Sequence, residues 1–324
     1  MVINQLMELS MIVDTAPFHR IFNAKTSYLK ELDDEYLDTS LAAKGITVIY
    51  RDSRYKKRVR ILVNAGMVVD HPSNTDKLLR KLGKRISEYF DHKYKLDDFT
   101  LSGVTLTLDI AVGSRERVFD YLKVLQRGRK VKGFSPVSYN CFDSKASFCL
   151  SGNSNAIGFL LYDLEQSLTD QLQDSGMGHK KIKSVSSHTQ GILRAEVKLT
   201  KPKAVRVYTN AEDTAGQIVE LMKDRQQIFL DTFARIVPFG AFYTMTAAVE
   251  IVRSEVKDST MRRKMLRLLT LIPEKRSLHL AQKAANCRDI DKVMEAFARI
   301  DLSPVTIAKR HEVKHLENLY SFFL

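Results

Sequence analysis

Residues 99–127 read FTLSGVTLTLDIAVGSRERVFDYLKVLQR, and the hydrophobic period changes once inside them. From Phe99 to Val112 apolar and polar side chains alternate. Leu106, Leu108 and Ile110 fall on one face and Thr105, Thr107 and Asp109 on the other, the pattern of a strand with one buried face. From Ser114 to Arg127 the apolar residues Val118, Tyr121, Leu122 and Leu125 recur at three- and four-residue steps. That spacing predicts a helix, closed by Gly128. Strand and helix following each other inside one segment call for a mixed fold in which a sheet is covered by helices.

The same alternation extends in both directions. Toward the N-terminus, Gly45–Arg51 (GITVIYR) is β-branched and aromatic, and Arg58–Val69 (RVRILVNAGMVV) reads as its hairpin partner across a charged turn, with Arg58, Arg60 and Leu62 on one face. Ser10–Asp14 is a short apolar run. Asn74–Tyr94 is helical in period through Leu78, Leu79, Leu82, Ile86 and Phe90, with Ser73 or Asn74 as its cap. Toward the C-terminus, Ala146–Leu150 and Ala156–Tyr162 read as strands around the turn Ser151–Ser154, and Gly191–Leu199 (GILRAEVKL) as another. Residues 171–190 show no clear period and are expected to form an excursion between two strands. Beyond about Tyr208 the period is helical, over Gly216–Val237, Ala241–Val256, Met261–Leu271, Ser277–Asn286, Asp289–Arg299 and Thr306–Tyr320. The expectation is an α+β domain over residues 1–208 followed by an all-helical domain over 209–324, in keeping with about 150 residues per domain.

Composition removes several classes. No run of about 18 apolar residues occurs, so no membrane-spanning segment is expected. Met1–Pro17 has no basic leader region, and the three cysteines, Cys141, Cys149 and Cys287, form no Cys-x-x-Cys pair; a reduced, cytoplasmic protein is expected. The chain carries 51 Lys and Arg against 38 Asp and Glu, a formal charge of +13, which makes a polyanion the first partner to consider. The charge is clustered. Arg51–Arg60 holds Arg54, Lys56, Lys57, Arg58 and Arg60; Arg115–Lys132 ends in Arg127, Arg129, Lys130 and Lys132; Arg194–Arg206 includes Arg194 and Lys198. Runs on a hairpin, a helix end and a strand of one α+β domain are expected to mark a nucleic-acid path, a solvated face being the plainer alternative.

Asp109 and Glu196 each sit in mid-strand on the more polar face. Two carboxylates on neighbouring strands would suit Mg²⁺ or Mn²⁺, because hard cations take oxygen ligands. The alternative is that each faces solvent or pairs with an arginine such as Arg194. His311-Glu312-Val313-Lys314-His315 matches the H-E-x-x-H string, but a zinc site needs a third protein ligand and only Glu317 follows, at the wrong helical phase; a surface helix is expected instead. Asp289–Leu316 could form a helix-turn-helix or a plain helical hairpin. No nucleotide-binding glycine loop and no Gly-x-Ser-x-Gly elbow occurs.

The order of Leu108-Asp109-Ile110, then Gly152-Asn153-Ser154 with Phe159-Leu160-Leu161-Tyr162-Asp163, then Leu193-Arg194-Ala195-Glu196-Val197 resembles the rolling-circle replication initiators of plasmids and filamentous phage, of the Rep_trans and gene II/X types. Met11-Ile12-Val13-Asp14-Thr15 is similar to the start of these initiators, and the resemblance spans about residues 10–200. It implies a curved, Rep-type antiparallel sheet with helices packed on one side, and a helical C-terminal part that assists origin binding or homodimerisation. It further implies Mg²⁺ or Mn²⁺ held by Asp109 and Glu196, and a tyrosine that attacks a DNA phosphate, for which Tyr139 is the nearest residue. Origin DNA, single-stranded or as a hairpin, is the implied partner, together with a host helicase, since the chain has no ATP motif. The alternatives are a DNA-binding regulator of the same fold without catalysis, and an RNA-binding or structural protein that uses the basic sheet.

Overall fold

A computed structural model describes residues 4–12, 35–52, 57–69, 74–137, 146–154, 156–174 and 178–323. In chain order they form β1 (Asn4–Ile12), β2 (Glu35–Asp38), β3 (Ile46–Asp52), β4 (Lys57–Asn64), α1 (Ala65–Val68), α2 (Thr75–Tyr89), β5 (Thr100–Ala111), α3 (Arg115–Leu125), β6 (Phe134–Pro136), β7 (Ser147–Gly152) and β8 (Ile157–Asp163). There follow α4 (Leu164–Asp174), α5 (His179–Thr189), β9 (Ile192–Leu199), α6 (Pro202–Arg206), α7 (Thr214–Ile236), β10 (Phe242–Tyr243), α8 (Met245–Glu255), α9 (Ser259–Lys275), α10 (Leu278–Ala284), α11 (Ile290–Arg299) and β11 (His315–Leu316). The fold is mixed α/β with a large antiparallel sheet.

The chain divides into two compact units, and neither is a single segment. One contains Leu108–Val197 and Leu230–Leu324; the other contains Val2–Thr107 and Lys198–Phe229. The expected boundary near residue 208 therefore does not coincide with the division. β5 and β9 each contribute residues to both units.

In the unit built on Val2–Thr107 the strand order is β2-β3-β4-β1-β5. β3 and β4 form the expected hairpin, in register from Ile46 opposite Val63 to Asp52 opposite Lys57. Val59, Ile61 and Val63 are buried while Arg58, Arg60 and Leu62 are exposed or half-buried, as the alternation requires. β4 stops earlier than expected. The Asn64 side chain accepts a hydrogen bond from the Met67 backbone N–H at 3.3 Å and turns Ala65–Val68 into one helical turn. Asn74 caps α2 through the Lys77 N–H at 3.0 Å. Leu78, Leu82 and Ile86 of α2, and Phe90 just beyond it, are buried, with Ile86 and Phe90 facing Ile46, Val48 and Ile61. A partly buried chain of side-chain oxygens joins the helix end to the sheet edge: Tyr89 donates to Asp38 Oδ2 at 2.7 Å and its oxygen lies 2.9 Å from that of Tyr50. Burial, the larger effect, pushes the Tyr50 phenol up to about 12 and the Tyr89 phenol higher still.

In the other unit the end of β5 is followed by β9, β8, β7 and β6. Val112 N–H donates to Gly191 O at 2.9 Å and fixes the start of β9 beside the turn that enters α3. One face of β8 presents Phe159, which meets Phe148 and Phe233 of α7 edge-on at 6.3 and 6.0 Å between ring centres. Fully burying each such ring contributes about 1.5–3 kcal/mol. The opposite face presents Leu160 and Tyr162, which pack with Cys149, Ile192, Leu164 and Leu168. Helices thus cover both faces here, a correction to the expected single covered side. The cause is α4, whose Leu164 and Leu168 lie on the second face.

Three further expectations are corrected. Residues 171–190 are not an irregular excursion: they hold the end of α4 and all of α5. Residues 241–244 are extended rather than the first turn of a helix, and α8 begins at Met245. The expected helix Thr306–Tyr320 does not form. Leu302, Ser303, Val305, Thr306 and Ile307 are all buried, a continuous run that no single helix face can hide. The run instead bridges to Ala241 and Thr244, with Ser303 N–H donating to Ala241 O at 2.8 Å and Ile307 N–H to Tyr243 O at 2.8 Å. Tyr320 anchors the end by donating to Val237 O at 2.7 Å. A helix-turn-helix over residues 289–316 is therefore absent.

Candidate nucleic-acid interface

The alternation of β9 sets the polar side chains. Leu193, Ala195 and Val197 are buried; Ile192, Arg194, Glu196 and Lys198 are half-buried on the other face. Arg194 grips Asp109 of β5 with both prongs, Nε to Oδ1 at 2.6 Å and Nη2 to Oδ2 at 2.8 Å. Burial works against the Arg194 charge, but the Asp109 carboxylate outweighs it and holds the guanidinium above the ordinary arginine range. Tyr162 of β8 donates to Glu196 Oε1 at 2.6 Å. Burial and then the negative Glu196 push the Tyr162 phenol well up, so it stays a protonated donor.

This arrangement does not fit the Mg²⁺ or Mn²⁺ expected between Asp109 and Glu196. Both oxygens of Asp109 are directed at a guanidinium, which sets a fixed positive charge beside the carboxylate. Among the described residues no three His, Cys, Asp or Glu side chains gather in a way that could hold a metal ion. Nor does the H-E-x-x-H string form a zinc face, since it lies outside any helix and His315, in β11, stacks on Tyr243 at 4.5 Å. Tyr139, Arg54 and Lys56 lie outside the described residues, and so does the side chain of Lys57.

Asp163, next to Tyr162, has a wholly buried side chain. It caps α4 by accepting from the backbone N–H of Glu165 at 3.0 Å and Gln166 at 3.4 Å, and it meets Arg115 Nε at 3.3 Å. Arg115 also donates to Gln166 Oε1. Burial, ahead of these contacts, holds the Asp163 carboxyl above its ordinary range. Asp163→Ala is expected to lower stability by about 1–2 kcal/mol through loss of the cap. Asp163→Asn, which keeps the accepting oxygen and removes a desolvated charge, is expected to lose less than half of that. Urea unfolding of the two variants checks the ordering. The raised carboxyl makes ionised Asp163 a burden above its folded pKa, relieved as the pH falls through it, so the wild-type advantage over Asp163→Asn should widen in acid.

The expected basic path separates into two kinds of residue. Arg60 is engaged within the protein, by Glu35 at 2.8 Å and Glu8 at 3.8 Å, and Arg194 by Asp109. Arg58, Arg129, Lys130 and Lys132 are exposed and make no ion pair among the described residues. Arg127 stands just before these last three, in the 3-10 turn Gln126–Gly128 that extends α3. It is half-buried, and its Nε is shielded from solvent with no hydrogen-bond partner among the described residues. Burial first, then Arg310 and Arg276, lower the Arg127 pKa. Sequence reasoning did not single out Arg276, and met Arg310 only in the second helix of a possible helix-turn-helix. They lie about 150 and 180 residues further along, so no local spacing could have joined them to Arg127.

No family model, curated protein or solved structure matches the chain. Among the described residues no helix is long and apolar enough to cross a membrane.

Proposed function

We propose that the protein is a DNA-binding replication initiator of the rolling-circle type, acting on the origin of a plasmid, phage or integrated element. The observation that carries this reading is the run of cations from Arg127 to Lys132 that make no ion pair among the described residues, with Arg276 and Arg310 close to its first member. Cations that meet a phosphate backbone displace the counterions condensed on it, and that release drives association. The strands bearing Asp109, Arg194–Glu196 and Tyr162 are also neighbours in one sheet, which suits the resemblance. In the cleaving form of this reading the Tyr139 hydroxyl attacks a phosphodiester, the P–O3′ bond breaks, the phenol proton passes directly or through water to the leaving 3′ oxygen, and a 5′-phosphotyrosyl link and a 3′-hydroxyl result. A second reading, a DNA-binding regulator that does not cleave, is favoured by the closed Arg194–Asp109 pair.

Supercoiled DNA carrying the native locus, incubated with the protein in Mn²⁺ or in chelator and run under denaturing conditions, tests both. The initiator reading expects a covalent adduct that Tyr139→Phe abolishes. Specific retention without an adduct selects the regulator. Tighter binding to RNA of the same sequence and length than to DNA would overturn both.

A further inference from the structure

Five groups able to carry positive charge gather in the unit that contains α3: Lys123, Arg127 and Arg310 act on His311, Arg310 and Arg276 act on Arg127, and Asp120 opposes the cations at His311. Lys123 projects from α3, Arg127 from the 3-10 turn that extends it, Arg276 from the end of α9, and Arg310 and His311 from a turn ahead of β11. Arg276 is tied to the segment after Arg127 through its carbonyl, which accepts from Lys130 N–H at 2.9 Å. Asp120 already lies 3.7 Å from Lys123. Two nitrogens in the cluster, Arg127 Nε and His311 Nδ1, are shielded from water and have no hydrogen-bond partner among the described residues. Arg127, Arg276 and Arg310 make no ion pair among the described residues. Buried polar nitrogens normally find partners, and like charges normally separate. Both departures occur at one place, and one multidentate oxyanion would resolve both.

We propose that Arg127, Arg276, Arg310 and His311 form an oxyanion site that takes a phosphate group, either free or as a phosphodiester of DNA. Guanidinium groups suit it because they offer paired, directional N–H donors to phosphate oxygens. In the second form the site rests on the DNA-binding reading above; in the first it does not. His311 adds a proton linkage. Burial first, then Lys123, Arg127 and Arg310, lower its pKa against the opposing pull of Asp120. A bound phosphate reverses that repulsion, so its arrival should draw a proton onto the imidazole.

The test compares thermal unfolding in sodium phosphate and in sodium chloride of equal ionic strength. Phosphate should raise the Tm of the wild type by about 2–4 °C beyond chloride. The double variant Arg276→Gln/Arg310→Gln should unfold at a higher temperature than the wild type in chloride, because a repulsion is gone, and should lose the phosphate increment. Arginines with a merely structural role would lower the chloride Tm instead. NMR titration should show the His311 pKa rising when inorganic phosphate is added. An increment absent from the wild type, or retained in full by the double variant, overturns the site. If phosphate displaces a short single-stranded oligonucleotide, the natural ligand is a DNA phosphodiester. If both bind without competition, it is a free phosphate. Failure of the wild type to bind DNA, with its phosphate increment intact, would defeat the DNA reading and leave the site standing.

Discussion

Replacing Arg129, Lys130 and Lys132 together by alanine is expected to lower the slope of log K against log salt by about 2–3 for DNA binding, as three phosphate contacts are removed at about 0.7–0.9 each. The effect should be similar for oligonucleotides of any sequence, because phosphate contacts position a chain without reading its bases. The fold should be little disturbed, since all three side chains are exposed and none makes an ion pair among the described residues. A salt series of filter-binding or anisotropy curves gives the slope directly. Arg60→Ala serves as the contrast: Glu35 and Glu8 already hold that guanidinium, so its loss should change the slope by well under one. Equal effects from Arg60 and from the three exposed cations would show that the path does not run along the segment after α3.

The second large effect is on stability. Gly240→Ala is expected to cost about 3–5 kcal/mol, from backbone strain together with overpacking. Gly240 has φ +110°, a conformation that side-chain-bearing residues rarely adopt, and a Cβ there would stand 2.4 Å from Leu302 C and 2.5 Å from Ser303 N. Those atoms cannot easily yield. They belong to the stretch that pairs with Ala241, whose own N–H donates to Asp301 O at 3.0 Å. Denaturant unfolding followed by circular dichroism measures the loss. A midpoint within a few tenths of a molar of wild type would mean that the 302–307 segment is not held against 241–244 as described.

The strands and helices that bury one face were legible from the chain alone. β4 and β9 alternate strictly and α2 and α3 follow the helical spacing, because each meets water on one side and a core on the other; β5 alternates except at Gly103–Val104, and β3 is marked instead by its β-branched and aromatic residues. Residues 302–307 were not legible, since a segment buried on every side loses its period and Pro304 also suits the start of a helix. The polar site was half legible. Alternation put Asp109, Arg194 and Glu196 on one face but left open whether the carboxylates meet a cation or an arginine; that choice depends on register between strands about 85 residues apart. The Arg127–Arg276–Arg310 gathering has no sequence signature, because its members come from different turns far apart in the chain.

Arg276 closes α9 in the left-handed conformation, at φ +52°, ψ +35°, a place where glycine is the usual occupant. An arginine there carries a backbone penalty of about 1–2 kcal/mol relative to glycine, and its charge adds repulsion against Arg127. Glycine would relieve both at once. Selection for stability alone would therefore push this position in a single direction, away from arginine. In a library screened only for thermal resistance, Arg276→Gly should be enriched early, and the clones that carry it should be those that no longer respond to phosphate.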